Sequence, residues 1–330
     1  MTATLGGQQA SARKHLLSKL SIVAPCYNEQ DVLPVFYEAL CAVLEEMPDL
    51  FCELVFIDDG STDLTLQVLT ALAAKDERVR VYSLSRNFGH QVALTAGLDV
   101  ADGDAVVLMD SDLQHPPALL PQMVDLWRNG VDVVSTVRAK TAGVSWMKEG
   151  SSRLFYRLIN CLSDTRITPG AADFVLLSRR ACAALRQMPE RHRFLRGMVS
   201  WIGFERAWVP FTAPARAAGA SKYTVVRMVA MAMDAVLSFS STSVRFVSRL
   251  GMCMVLLAAL YLVTEVVQYL RYRDAVAGWT SLIGLIFLLG GLQILAVGVI
   301  GEYVARVFEE SKRRPLYFFK RTPAAPKCDR

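Results

Sequence analysis

From residue 20 onward, short apolar runs alternate with stretches whose apolar residues recur every three or four positions. Leu20–Ala24, Glu53–Ile57, Val79–Ser83, Ala105–Met109 and Asp132–Val137 read as strands, and residues 31–47, 62–75, 90–101 and 116–129 read as the helices between them. The run Ala105-Val106-Val107-Leu108-Met109 has no polar member, as a strand covered on both faces requires. The alternation predicts an α/β domain with a mostly parallel, Rossmann-like sheet and helices on its faces. Ligands of such sheets bind beyond the carboxyl ends of the strands, so the polar residues just after each run become the candidates for chemistry. Residues 138–225 are less regular and rich in Arg and Gly, and are expected to hold an acceptor side.

The pattern changes again in the last third. Leu250 to Leu270 is 21 residues with one charge, Glu265, and Trp279 to Gly301 is 23 residues with none. At 1.5 Å per residue each is long enough for a hydrocarbon core about 30 Å thick. Eight residues, Arg271 to Gly278, separate the two, so a two-helix transmembrane hairpin is predicted. Basic residues flank it on both sides, at Arg245 and Arg249 and again at Arg306, Lys312, Arg313, Arg314, Lys320 and Arg321. The positive-inside rule then puts the large N-terminal part and both termini in the cytoplasm, in a multi-pass protein of the inner membrane. The expected divisions are a basic tail over 1–19, a catalytic domain over 20–223, interfacial helices over 224–248, two transmembrane helices within 249–305 (about 250–270 and 279–301), and a cytoplasmic tail over 306–330.

Composition agrees with a membrane part: 53% of residues are hydrophobic and the mean hydropathy is +0.30. The net charge of +5 is concentrated near the membrane end, which suits anionic headgroups and phosphates better than a nucleic acid. Seven scattered cysteines, none in a C-x-x-C spacing, point to reduced structural thiols rather than a disulfide framework or a zinc site.

Three polar clusters follow three of the apolar runs: Pro25-Cys26-Tyr27-Asn28-Glu29, Asp58-Asp59-Gly60-Ser61 and Asp110-Ser111-Asp112-Leu113-Gln114. Asp110 and Asp112, two apart at a strand end, can turn their carboxylates to the same side. Carboxylates beside a polyanionic diphosphate make sense only with a hard divalent cation, Mg²⁺ or Mn²⁺, between them. Gln114 is a further candidate for that cation, and His90 and His115 read as hydrogen-bonding residues near the crevice.

With these pieces in order, the chain resembles the inverting nucleotide-sugar glycosyltransferases of the GT-A fold. Within them it is similar to the polyprenyl-phosphate glycosyltransferases, which include dolichol-phosphate mannose synthases and bacterial undecaprenyl-phosphate glucosyltransferases. Besides the three clusters, the matching segments are Ser85-Arg86-Asn87-Phe88-Gly89-His90, His115-Pro116-Pro117, Arg196-Gly197-Met198, Gly219-Ala220-Ser221-Lys222-Tyr223 and Gly301-Glu302-Tyr303, over about residues 20 to 320. The resemblance implies that Pro25, Tyr27, Glu29 and Asp59 cradle the nucleoside, that Asp110 lies beside the ribose and diphosphate, and that Asp112 is the principal metal ligand, with Gln114 near it. Asp173, in Ala172-Asp173-Phe174-Val175-Leu176, matches the family's Asp-Phe-Arg-Leu signature and its catalytic role, with Val175 where Arg is usual. The resemblance also implies a nucleotide-sugar donor, UDP-glucose by default, and homo-oligomers built through the membrane part.

A lipid phosphate must be gripped by cations, and Arg138, Arg196, Arg216 and Lys222 are the candidates, with Ser221 offering a hydroxyl. The expected reaction is one in-line displacement at the anomeric carbon, with inversion and no covalent enzyme intermediate. A processive polysaccharide synthase would share the fold but carry a Gln-x-x-Arg-Trp segment, which does not occur in this sequence. A dinucleotide oxidoreductase would show G-x-G-x-x-G after the first strand, where Pro25-Cys26-Tyr27-Asn28-Glu29 stands instead. A non-catalytic membrane scaffold of the same fold is the third alternative, and the intact acidic set argues against it.

Overall fold

Alternating elements assemble as the pattern predicts, with one reversal that matters for the chemistry. The structure, a computed structural model, describes residues 18–140, 170–191, 193–212 and 279–320, together with residues 260, 263, 264 and 267. In order, β1 (Lys19–Cys26), α1 (Leu33–Glu45), β2 (Phe51–Asp58), α2 (Thr65–Lys75), β3 (Val79–Ser83), α3 (His90–Val100), β4 (Ala105–Leu108), α4 (Leu120–Arg128) and β5 (Val133–Lys140) follow the expected alternation. Then come β6 (Ala171–Ser178), α5 (Arg179–Arg186), α6 (Leu195–Trp201), β7 (Arg206–Thr212) and a long helix, α7 (Trp279–Ser311).

The strands form one seven-stranded sheet in the order β3-β2-β1-β4-β6-β5-β7. β1 pairs in parallel with β2 and β4, β2 with β3, and β5 with β7, whereas β6 runs antiparallel to both of its neighbours. The mostly parallel sheet is therefore a mixed one, and the region expected to be less regular contains two of its strands. Nothing in the periodicity of Ala171–Ser178 announces direction, because a strand buried on both faces reads the same either way.

The core lies between the sheet and its helices. On α1, Leu33, Phe36, Leu40 and Leu44 recur at helical spacing and are all buried, and Phe36 meets Phe56 of β2 edge to face at 6.3 Å. On the other face α3 packs so closely that a Cβ on Gly97 would stand 2.1 Å from Val23 Cγ1, so only glycine fits there. Ser178 caps α5 by accepting the Ala181 N–H at 3.2 Å.

The chain divides into two compact units, and α7 belongs to the second, whereas residues 315–320 belong with the sheet. α7 is 33 residues long, and its Leu289–Ser311 portion is apolar enough to cross a membrane by length and composition. Ile286, Ile294, Val297, Ile300 and Val304 along it are exposed, an apolar surface that calls for lipid or protein cover. All but the last two residues of the expected basic tail over 1–19, the interfacial segment 224–248 and nearly all of the first predicted span, 250–270, lie outside the described residues.

Candidate active site

Parallel β1, β2 and β4 end at the same edge of the sheet, and their polar clusters meet there. Asn28 stands at φ 55°, its N–H donates to Ser61 Oγ (3.1 Å), and its own Oδ1 accepts the Thr62 N–H (2.9 Å). The Glu29 N–H donates to Thr65 Oγ1 at 2.9 Å, so the first cluster is stitched to the second. Gly60, at φ +67°, lets the next loop in: a Cβ there would lie 2.5 Å from the Arg86 carbonyl carbon. That loop, Ser85 to Gly89, is gripped by Asp59, whose two carboxylate oxygens accept the N–H groups of Phe88 (2.8 Å) and Gly89 (2.9 Å). Asp59 thus shapes the loop with both oxygens.

The antiparallel strand supplies the opposite wall. β6 pairs Val175 with Leu108, and continuing that register two residues sets Asp173 across from Asp110. Together with Pro25, Glu29, His90, Ser111, Asp112, Gln114, His115, Arg138 and Arg196, these two acids line a cleft of about 510 Å³. His90, the first residue of α3, stands between the acids, with Nε2 3.2 Å from Asp110 Oδ1 and 3.8 Å from Asp173 Oδ2.

Arg196 grips Asp173 with a fork, Nε to Oδ1 at 2.6 Å and Nη2 to Oδ2 at 2.8 Å. Val175, where the resemblance leads one to expect Arg, is buried, and the cationic partner of Asp173 is Arg196 of α6. Burial pushes the Asp173 carboxyl up, but Arg196, His90 and His115 outweigh it and hold the group below the usual carboxylate range. Gln91 links the same acid to α6, donating to Asp173 Oδ2 (3.5 Å) and accepting the Leu195 N–H (2.9 Å).

Asp110 and Glu29 behave oppositely. Burial raises the Asp110 carboxyl, with His115 and His90 opposing. Glu29 is pushed up to about 7, first by burial and then by the charges of Asp112 and Asp110, against the pull of its hydrogen bond from Ser111. The Ser111 hydroxyl also reaches the Pro25 carbonyl. His115 is buried against Phe174, ring centroids 5.3 Å apart, and burial depresses its imidazole, so its neutral Nδ1 accepts the Asp110 N–H at 3.0 Å.

Because the folded Glu29 holds its proton more tightly than the unfolded chain does, its contribution to stability is present below about pH 4.5 and is lost as pH rises through about 7. Replacing Glu29 by Gln is accordingly expected to flatten the fall in melting temperature of nucleotide-free protein between these limits. An unchanged slope in E29Q would remove Glu29 from the account.

Asp112, half-buried in the cleft lining, accepts the Gln114 N–H on Oδ1 at 3.0 Å, and Gln114 Oε1 accepts from Arg138 Nη2 at 3.4 Å. Tyr27 is 44% exposed on the rim of the first cluster. The structure thus gathers Pro25, Glu29, Asp110, Asp112, Gln114, Arg138, Asp173 and Arg196 around one cleft, with Asp59 behind the Ser85–Gly89 loop. Arg216, Ser221 and Lys222 lie outside the described residues. Ser111 and Gln91 were not singled out from sequence, since only the fold reveals that they bridge distant segments.

A divalent cation fits this arrangement. Asp110 Oδ1 is shut off from solvent and makes no hydrogen bond, and Asp112 lines the same cleft two residues on. Among the described residues no group of three or more His, Cys, Asp or Glu could hold a metal alone. The rest of a cation's shell would come from oxygens of a bound ligand or of water.

A family model described as glycosyl transferase family 2 matches residues 21–186. The uncharacterized glycosyltransferase YkcC of Bacillus subtilis (strain 168) is 38% identical over 302 residues, 92% of this chain and 93% of its own. The bactoprenol glucosyl transferase of Shigella phage SfV is 36% identical over 302 residues, 92% of this chain and 98% of its own. Among solved structures, glucosyl-3-phosphoglycerate synthase of Mycobacterium tuberculosis, in complex with Mn²⁺, UDP-glucose and phosphoglyceric acid, covers 72% of this chain and 83% of its own at 18% identity and a TM-score of 0.46.

Proposed function

The chain belongs to glycosyl transferase family 2 and is a glycosyltransferase, and on that premise we propose that it moves glucose from UDP-glucose to a polyprenyl phosphate, undecaprenyl phosphate in a bacterium. The observation that carries the reading is the pairing of Asp110 with Asp173 across one cleft. The loops after β1 and β4 supply acids and amides to its lining, and Arg138 and Arg196 supply cations. The name of the phage relative supports glucose and a lipid acceptor, and α7 supports a membrane setting.

In this reading Pro25, Tyr27, Glu29 and the loop held by Asp59 receive the nucleoside, and Asp110 and Asp112, with Gln114 beside them, hold Mg²⁺ or Mn²⁺ together with the diphosphate. When bound, that cation neutralises the charge that gathers on the departing nucleotide. Arg138 and Arg196, joined by Arg216, Ser221 and Lys222, receive the lipid phosphate. A phosphate monoester loses its second proton near pH 6, so it arrives already nucleophilic and Asp173 serves to orient rather than to take a proton. Attack by the phosphate oxygen on the anomeric carbon expels UDP and inverts configuration, and most of the acceleration comes from positioning and charge. In the same proposal both apolar stretches, 250–270 and 279–301, would cross the inner membrane as a hairpin, with interfacial helices over 224–248 and the catalytic domain and both termini cytoplasmic.

The test is to incubate membranes holding the protein with undecaprenyl phosphate and a panel of UDP- and GDP-sugars, and to identify lipid products by mass. A hexosyl-phosphate lipid formed from UDP-glucose is expected. A polymer, or no lipid product from any donor, would end this proposal.

A further inference from the structure

β3 is an edge strand, and an edge leaves a row of backbone groups open to pairing. Residues 315–320, which follow the end of α7, take up that pairing. Leu84 and Phe319 form an antiparallel bridge, flanked by the Ser85 N–H donating to the Phe318 carbonyl and the Lys320 N–H donating to the Ser83 carbonyl, both at 2.8 Å. The Phe319 ring lies 5.6 Å from Tyr82 and 5.1 Å from Tyr317. The Tyr317 hydroxyl donates to Asp99 Oδ2, near the far end of α3, at 2.9 Å.

These bonds fall at one stretch of the chain. Ser83 to Ser85 lead into the irregular segment whose Phe88 and Gly89 N–H groups Asp59 holds, and that segment ends at His90, between Asp110 and Asp173. Asp99 belongs to the helix that His90 begins. The strap therefore fixes the segment at its entry and the helix near its exit, and the stretch between carries two parts of the cleft. A cover for an exposed edge would need the backbone pairing alone. The added bond to α3 is what a positioning device requires.

We infer that residues 315–320 are a positioning element of the donor half of the site, an added strand that aligns the Ser85–His90 segment for the nucleotide. The inference rests on the donor reading above for the identity of the ligand, though the hold on the segment can be measured without it.

The experiment uses the full chain in detergent or nanodiscs with K320P, which removes the strap's donor, Y317F, which removes the bond to Asp99, and K320A, which keeps the backbone N–H. Loss of about 1.4 kcal/mol of hydrogen bonding is a tenfold change, so K320P combined with Y317F should speed amide exchange over residues 84–89 about tenfold. The same double variant should raise the KM for UDP-glucose by about tenfold while leaving the KM for the lipid phosphate within about twofold. K320A should behave as the parent. Unchanged exchange over 84–89, or equal rises in both KM values alongside a lower melting temperature, would overturn the inference. If the parent transfers no sugar to lipid phosphate, the proposed function fails, and amide exchange together with binding of UDP in Mn²⁺ still decides the role of the strap.

Discussion

Replacing Asp112 by alanine is expected to cut sugar transfer by about 10³-fold while leaving the melting temperature close to that of the parent. The two halves of this expectation come from separate observations. Asp112 is half-buried and its hydrogen bond is to the N–H of the equally half-buried Gln114, so its removal leaves no fully buried group stranded. Yet it lies two residues from Asp110, whose Oδ1 is closed to water and makes no hydrogen bond. Two carboxylates facing a polyanionic nucleotide repel it unless a cation stands between them. Asp112→Asn keeps an oxygen for the Gln114 turn but not the charge, so it separates local structure from ligation. Binding of Mn²⁺ read by electron paramagnetic resonance, with UDP present, should fall in both variants. Full transfer in D112A, or Mn²⁺ held as in the parent, would refute the assignment.

The part of the site built on β1, β2 and β4 is legible because each of its motifs follows a strand that the apolar runs announce. Ala105–Met109 was read almost to the residue, against an observed Ala105–Leu108, and the acids behind it fell where a parallel strand end must put them. The part built on β6 and α6 is legible only as separate residue types. Asp173 meets Asp110 because β6 enters the sheet backwards, a pairing between segments more than sixty positions apart that no local period encodes. The same holds for Arg196, which reaches Asp173 from another element altogether. Leu316-Tyr317-Phe318-Phe319 is too short an apolar run to stand out beside a membrane helix, and its strand character exists only against the edge of β3.

Arg196→Ala should lower kcat/KM by about 10²-fold or more, and its pH profile should differ from that of Asp173→Asn. In the parent, Arg196 holds the Asp173 carboxyl below the usual range, so Asp173 stays ionised throughout about pH 5 to 8 and contributes no acid limb there. Without the guanidinium, burial acts with less opposition, the carboxyl rises, and activity in R196A should recover as pH is raised through the new value. R196K should recover less than a full charge restores, because an ammonium cannot reproduce the fork to both oxygens. Asp173→Asn removes the ionisation altogether and should show no such limb. If Asp173 orients the acceptor by hydrogen bonding, D173N should retain well over the activity of D173A at every pH. If instead it removes a proton, the two should be equally inactive, and the orienting role assigned to this acid would have to be abandoned.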